Sequence, residues 1–264
     1  MTYRCALVTG ATSGIGAAFV HALPPETGLV LTGRDEAALA AAATRAGRRG
    51  QSVETVPADL TVPAEREAVI AHAKAAGIDL FVNNAGMGAL GAILDRPAEE
   101  QSATIELNVV AMAELTRALL PGMIARARND GSRAGLIVVS SALAASPLPF
   151  FATYAASKAF SLWYAEALAE EVRGQPVDVL ALCPGPTRSA FGARAGFSAG
   201  GLPGALDADA VAKRGLAALG KRNVLVTGRF TPALMEPFVT SHRLLSRGLG
   251  GVMRPFARRF GREA

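Results

Sequence analysis

Cysteine is scarce, two in 264 residues, and both Cys5 and Cys183 sit inside apolar runs. That excludes a disulfide-framed fold and reads each thiol as a small buried side chain. The three histidines, His21, His72 and His242, lack metal-ligand spacing, which argues against a metal centre. No stretch reaches the ~18 continuous apolar residues of a membrane span. Strand-like residues begin at position 4, with no basic segment and apolar stretch before them, so secretion is not expected and a cytoplasmic location is. The charge excess is small, 27 basic against 22 acidic residues. With no recognition motif beside it, that excess does not make a nucleic-acid binder.

What is present is alternation. Short apolar, β-branched runs at 5–8, 29–31, 53–56, 80–82, 136–139, 177–182 and 224–226 read as buried strands. Between them, 36–48, 64–76, 98–126 and 154–171 carry helical apolar spacing. Strand–helix–strand repetition with right-handed crossovers predicts an α/β fold: a doubly wound (Rossmann) parallel sheet of seven strands with helices on both faces. No low-complexity linker divides the chain, so residues 1–264 are read as one domain. Gly/Pro clusters bracket residues 188–205, which are read as a substrate flap. Residues 230–264 form a basic extension with six arginines, read as a helix with a solvated Arg face rather than a membrane-surface segment.

The first strand runs into Thr9-Gly10-Ala11-Thr12-Ser13-Gly14-Ile15-Gly16, then a helical stretch. Glycines there allow a tight turn and the close approach of a pyrophosphate to backbone N–H groups at a helix start. The spacing is G-x-x-x-G-x-G, a variant of the usual dinucleotide fingerprint. Further motifs follow in order: Asp59-Leu60 after strand three, Asn83-Asn84-Ala85-Gly86 after strand four, and Asn108 in a long helix. Ser140-Ser141 ends strand five, before Tyr154-Ala155-Ala156-Ser157-Lys158 and Pro184-Gly185-Pro186-Thr187.

Together these motifs, from Arg4 to Thr187, resemble the short-chain dehydrogenase/reductase family. The resemblance implies a nicotinamide enzyme that moves a hydride between cofactor and a carbonyl or alcohol. It assigns Gly10, Thr12, Ser13, Gly14, Ile15, Gly16, Asp59, Leu60, Asn83, Ala85, Gly86, Pro184, Gly185 and Thr187 to the cofactor, with Asp59 against the adenine. It implies Tyr154 as the acid/base, Lys158 on the nicotinamide ribose, Ser141 on the substrate oxygen, and Asn108 as the anchor of a proton relay. Of Ser140 and Ser141, the spacing of thirteen residues before the tyrosine selects Ser141. It also implies a homodimer or homotetramer built through the helices 98–126 and 154–171.

Tyr154 and Lys158, four apart, share one helix face. A neighbouring ammonium favours a phenolate, so Lys158, aided by the positive ring of oxidised nicotinamide, is expected to bring the tyrosine pKa from about 10 toward about 7. Strand two ends Thr32-Gly33-Arg34-Asp35. Gly33 falls where an NAD-type acid would stand, and Arg34 suits a 2′-phosphate, so NADP(H) is expected over NAD(H). Asp35 and Glu36 lie close enough to keep an NAD-type acid open, although Asp35 also suits a helix cap. Leu143, Pro149, Phe150, Phe191 and Phe197 suggest an apolar ketone, aldehyde or secondary alcohol as substrate, with Arg188 and Arg194 the charges nearby. A non-catalytic NAD(P)-binding regulator on the same fold is the alternative.

Overall fold

In the computed structural model of the chain, residues 2–196, 201, 204–229, 231, 233, 237, 238 and 241 are described. Phe197, part of the 188–205 segment and most of 230–264, with its six arginines, lie outside them. Seven parallel strands form one sheet: β1 (Cys5–Thr9), β2 (Gly28–Gly33), β3 (Val53–Pro57), β4 (Leu80–Asn83), β5 (Ala134–Val139), β6 (Val177–Pro184) and β9 (Val224–Thr227). Their order is β3-β2-β1-β4-β5-β6-β9, and the seven-stranded, doubly wound parallel sheet is the one the alternating sequence predicts. A second, two-stranded pairing of β7 (Thr187–Arg188) with β8 (Leu206–Asp207) was not anticipated.

Side chains alternate across each strand, so the sheet feeds two cores. On one face Leu7, Val30, Phe81, Leu136 and Val138 pack with Leu115, Met123 and Leu162. These come from α5 (Met112–Asp130) and α6 (Ala152–Glu171). On the other, Val8, Leu29, Leu31 and Ile137 meet Phe19, Leu39 and Val211. Those belong to α1 (Gly14–Ala22), α2 (Glu36–Gly47) and α8 (Ala208–Ala218). Helix α8 was not foreseen; it is short and Ala-rich, and Gly215 lets it close on Phe19, 3.1 Å from where a Cβ would stand.

Helix α3 (Pro63–Ala75) follows β3. The helix expected at 98–126 runs instead from 98 to 130 and is not uniform. It is α4 (Ala98–Ile105), a π-turn at Glu106–Ala111, and α5. At 33 residues it is long and apolar enough to cross a bilayer, yet Leu115, Leu119 and Met123 are buried against the sheet. Strand order reverses between β1 and β4, and ligand clefts in such sheets open at the carboxyl ends beside that switch.

Candidate active site

The glycine turn is dictated by sterics. Gly10 and Gly14 have positive φ, +64° and +56°, which side-chain-bearing residues rarely adopt. A Cβ on Gly16 would lie 2.1 Å from the Gly10 carbonyl oxygen and 2.6 Å from the Asn84 amide nitrogen. So α1 starts directly against the turn, its first turn free of acidic residues and its dipole aimed at the cleft. Across the switch, Thr9 Oγ1 accepts from the Asn84 and Ala85 N–H groups, 2.9 Å each, and the Asn84 side chain donates to Thr9 O at 2.8 Å.

One cleft of about 490 Å³ runs over these strand ends. Gly10, Thr12, Ser13, Gly14, Ile15, Arg34, Asp59, Leu60, Ala85, Gly86, Ser141, Tyr154, Lys158, Pro184, Gly185 and Thr187 all line it. Gly16 does not; its part is the close packing behind the turn. Asn83, assigned to the cofactor from sequence, faces away: its side chain donates to Met112 O (2.9 Å) and Thr116 Oγ1 (3.2 Å) on α5. Strand alternation sends the first asparagine into the core and leaves Asn84 on the cleft. Met87, Gly88, Glu100, Leu107, Phe151 and Ser189 also line it and were not singled out in the sequence, since none carries a motif.

At the far end of strand two, Asp35 is the N-cap of α2, accepting from the Ala38 N–H at 2.9 Å. Arg34 is left exposed at the cleft, 3.8 Å from Asp59. Burial pulls the Asp59 pKa upward, but hydrogen bonds from Thr61 and the nearby Arg34 charge outweigh it and hold the carboxyl below its ordinary range. Arg188, expected near the pocket, pairs with Asp207 at 2.7 Å instead. Phe191 of the short helix α7 (Ala190–Arg194) does reach the site, 5.3 Å from the Tyr154 ring.

Tyr154 and Lys158 lie one turn apart on α6, both buried. Phe151 stacks on the Tyr154 ring at 4.5 Å, and a Cβ on Gly88 would come within 2.4 Å of it. Ser141 lines the cleft beside the phenol and lowers its pKa slightly, while its hydroxyl accepts from the Leu143 N–H at 3.1 Å. Ser140 is occupied elsewhere, donating to Lys158 O at 2.7 Å. Lys158 Nζ donates to Val139 O at 3.0 Å and lies 5.8 Å from the Tyr154 ring centre. Behind it, Asn108 accepts from Met87 N–H (2.9 Å) and donates to Met87 O (2.8 Å) and Ser157 Oγ (2.9 Å). It is buried beneath the cleft rather than lining it.

The protein's own groups do not make the phenol acidic. Desolvation pushes Tyr154 up to about 12, against only the lowering effect of the Ser141 hydrogen bond. Burial also brings Lys158 down to about 8. The same removal from water that would strengthen their attraction penalises both charged forms, and at this separation the penalty wins.

The residues present fit a nicotinamide dinucleotide. The turn has no room for a Cβ on Gly16, and the lining continues unbroken from Gly10 to Lys158. The short chain dehydrogenase family model matches residues 4–196. An uncharacterized oxidoreductase of Myxococcus xanthus is 36% identical over 200 residues, covering 75% of this chain and 77% of that protein. The solved short-chain dehydrogenase from Sphingobium yanoikuyae in complex with NADPH superposes with a TM-score of 0.73 and 32% identity, over 85% of this chain and 87% of that one. A 3-ketoacyl-(acyl-carrier-protein) reductase from Brucella melitensis complexed with NADH gives 0.75 and 25%, over 85% and 96%. With this turn, this buried Ser–Tyr–Lys cluster and these likenesses, the chain belongs to the short-chain dehydrogenase/reductase family, nicotinamide-dependent oxidoreductases acting on CH–OH and C=O groups.

Proposed function

We propose that the protein is an NADP-dependent reductase of apolar ketones or aldehydes, also able to oxidise the secondary alcohols that match the ketones. The observation that carries this is the Tyr154 phenol, buried in the cleft beside Ser141, where burial raises its pKa to about 12 and favours the protonated form. A protonated phenol is the form that donates to a carbonyl oxygen as negative charge develops there. When bound, the reduced nicotinamide dinucleotide supplies the hydride.

Ser141 and Tyr154 hold the carbonyl oxygen between two hydroxyls. Lys158, charged below a pH of about 8, stabilises the phenolate left after proton donation. Asn108 fixes the Met87 backbone that floors the cleft beside Lys158. Phe151, Phe191 and Leu143 wall the tyrosine side, which favours an apolar substrate and excludes water from it. Preference for NADP(H) over NAD(H) is supported by Arg34, exposed at the cleft edge where a 2′-phosphate can compete with Asp59 for it, while Asp35 is engaged as a cap.

The exposed apolar residues Ile105 on α4 and Phe160 on α6 support assembly into a homodimer or homotetramer through these helices. Both cysteines are unpaired, which suits a reducing compartment, and we place the protein in the cytoplasm. The test is a panel of ketones, aldehydes and small keto acids with NADPH and NADH, followed by absorbance loss. Turnover of bulky apolar carbonyls with NADPH preferred is expected. Turnover confined to small charged keto acids would contradict the substrate class.

A further inference from the structure

Arg66 on α3 has a side chain only 3% exposed, though nothing in the reaction above uses it. A guanidinium taken out of water must be paired, and here Nε and Nη1 are engaged. Nη1 donates to Glu106 Oε1 (2.7 Å) and to Leu60 O (2.9 Å), and Nε donates to Glu114 Oε2 (2.8 Å). Leu60 lines the cleft. Glu106 opens the π-turn and Glu114 lies just beyond it, with Asn108 between them.

The two glutamates are eight residues apart. On an unbroken α-helix, positions eight apart differ by about 80° around the axis, whereas seven apart differ by about 20°. The extra residue accommodated by a π-turn brings the eighth position round to where the seventh would be. So one guanidinium holds both carboxylates only while the π-turn persists, and the π-turn is held in turn by Arg66. The wider turn carries Asn108 onto the Met87 peptide, whose neighbour Gly86 has Lys158 Nζ 3.2 Å and Asn108 Oδ1 3.1 Å from its would-be Cβ.

We infer that Arg66 is a positioning residue: with Glu106 and Glu114 it fixes the π-turn, and thereby Asn108, under the catalytic lysine, while tying that turn to the Leu60 wall of the cleft. Its kinetic consequence rests on the proposed reaction; its structural consequence does not. Two readouts therefore separate them. Amide hydrogen exchange reads the Met87 N–H, which Asn108 protects. Arg66→Met, and Glu114→Gln as the milder change, are expected to speed it about tenfold with the rest of the sheet unaltered. Exchange unchanged at Met87 in both variants overturns the inference, whatever the enzyme's substrate.

The second readout is kcat for carbonyl reduction in a double-mutant cycle with Asn108→Ala. Arg66→Met in the unaltered background is expected to lower kcat about tenfold, and in the Asn108→Ala background less than about twofold, because the two act as one unit. Equal losses in both backgrounds would make Arg66 merely structural. Should Arg66→Met not fold, the same cycle with Glu114→Gln, expected to cost about threefold, decides the question.

Discussion

Tyr154 and Lys158 are displaced from their ordinary pKa values in opposite directions by one cause, removal from water. For the phenol this preserves the proton that reduction consumes. For the ammonium it sets a limit: reductive kcat is expected to hold level to a pH of about 8 and decline above it as Lys158 loses its proton, which a pH–rate profile checks. The depressed lysine also costs stability. Between about 8 and its ordinary 10.5 the unfolded chain binds a proton that the folded protein does not, so its contribution to stability rises with pH through that window. Lys158→Met is accordingly expected to be more stable at pH 7, by about 1–3 kcal/mol, while losing turnover, as thermal unfolding and assay would show. Arg34→Ala is expected to raise the KM for NADPH about tenfold and leave that for NADH unchanged. Motif spacing made Ser141, Tyr154 and Lys158 visible in the sequence, because helix period and strand end are local properties. It did not reveal that Asn83 turns inward, nor that burial outweighs the Lys158 charge, since both depend on neighbours brought from elsewhere in the chain.

Among the elements, the glycine turn and α1 were legible because their steric demands are written in consecutive residues. Gly16→Ala tests that demand. With its Cβ 2.1 Å from the Gly10 carbonyl, helix and turn must separate, and NADPH binding followed by fluorescence is expected to weaken at least about tenfold. Affinity within twofold of the unaltered protein would mean the turn does not depend on that contact. The π-turn at Glu106–Ala111 was not legible: Glu106-Leu107-Asn108-Val109 carries ordinary helical residues, and the cause lies across space in Arg66. Helix α8 was missed for a related reason. Its Val211, Ala212 and Gly215 make a narrow apolar stripe, sufficient only because Phe19 meets it closely.

The whole molecule gathers residues from 10 to 191 into one cleft because the parallel sheet puts the ends of β1, β4, β5 and β6 along a single edge. Alternation of apolar strands and helices was sufficient to foretell that sheet, while its outer face is a matter of association. If Ile105 and Phe160 cover each other between copies, Phe160→Glu is expected to yield a smaller species in light scattering, with the monomer fold retained. An unchanged particle size would move the interface elsewhere. The account as a whole rests on one proton held by one buried phenol. Its most direct test is Tyr154→Phe assayed for carbonyl reduction alongside NADPH titration. The account predicts turnover reduced by at least about a hundredfold with NADPH affinity within about threefold of the unaltered protein. Retained turnover in that variant would contradict it.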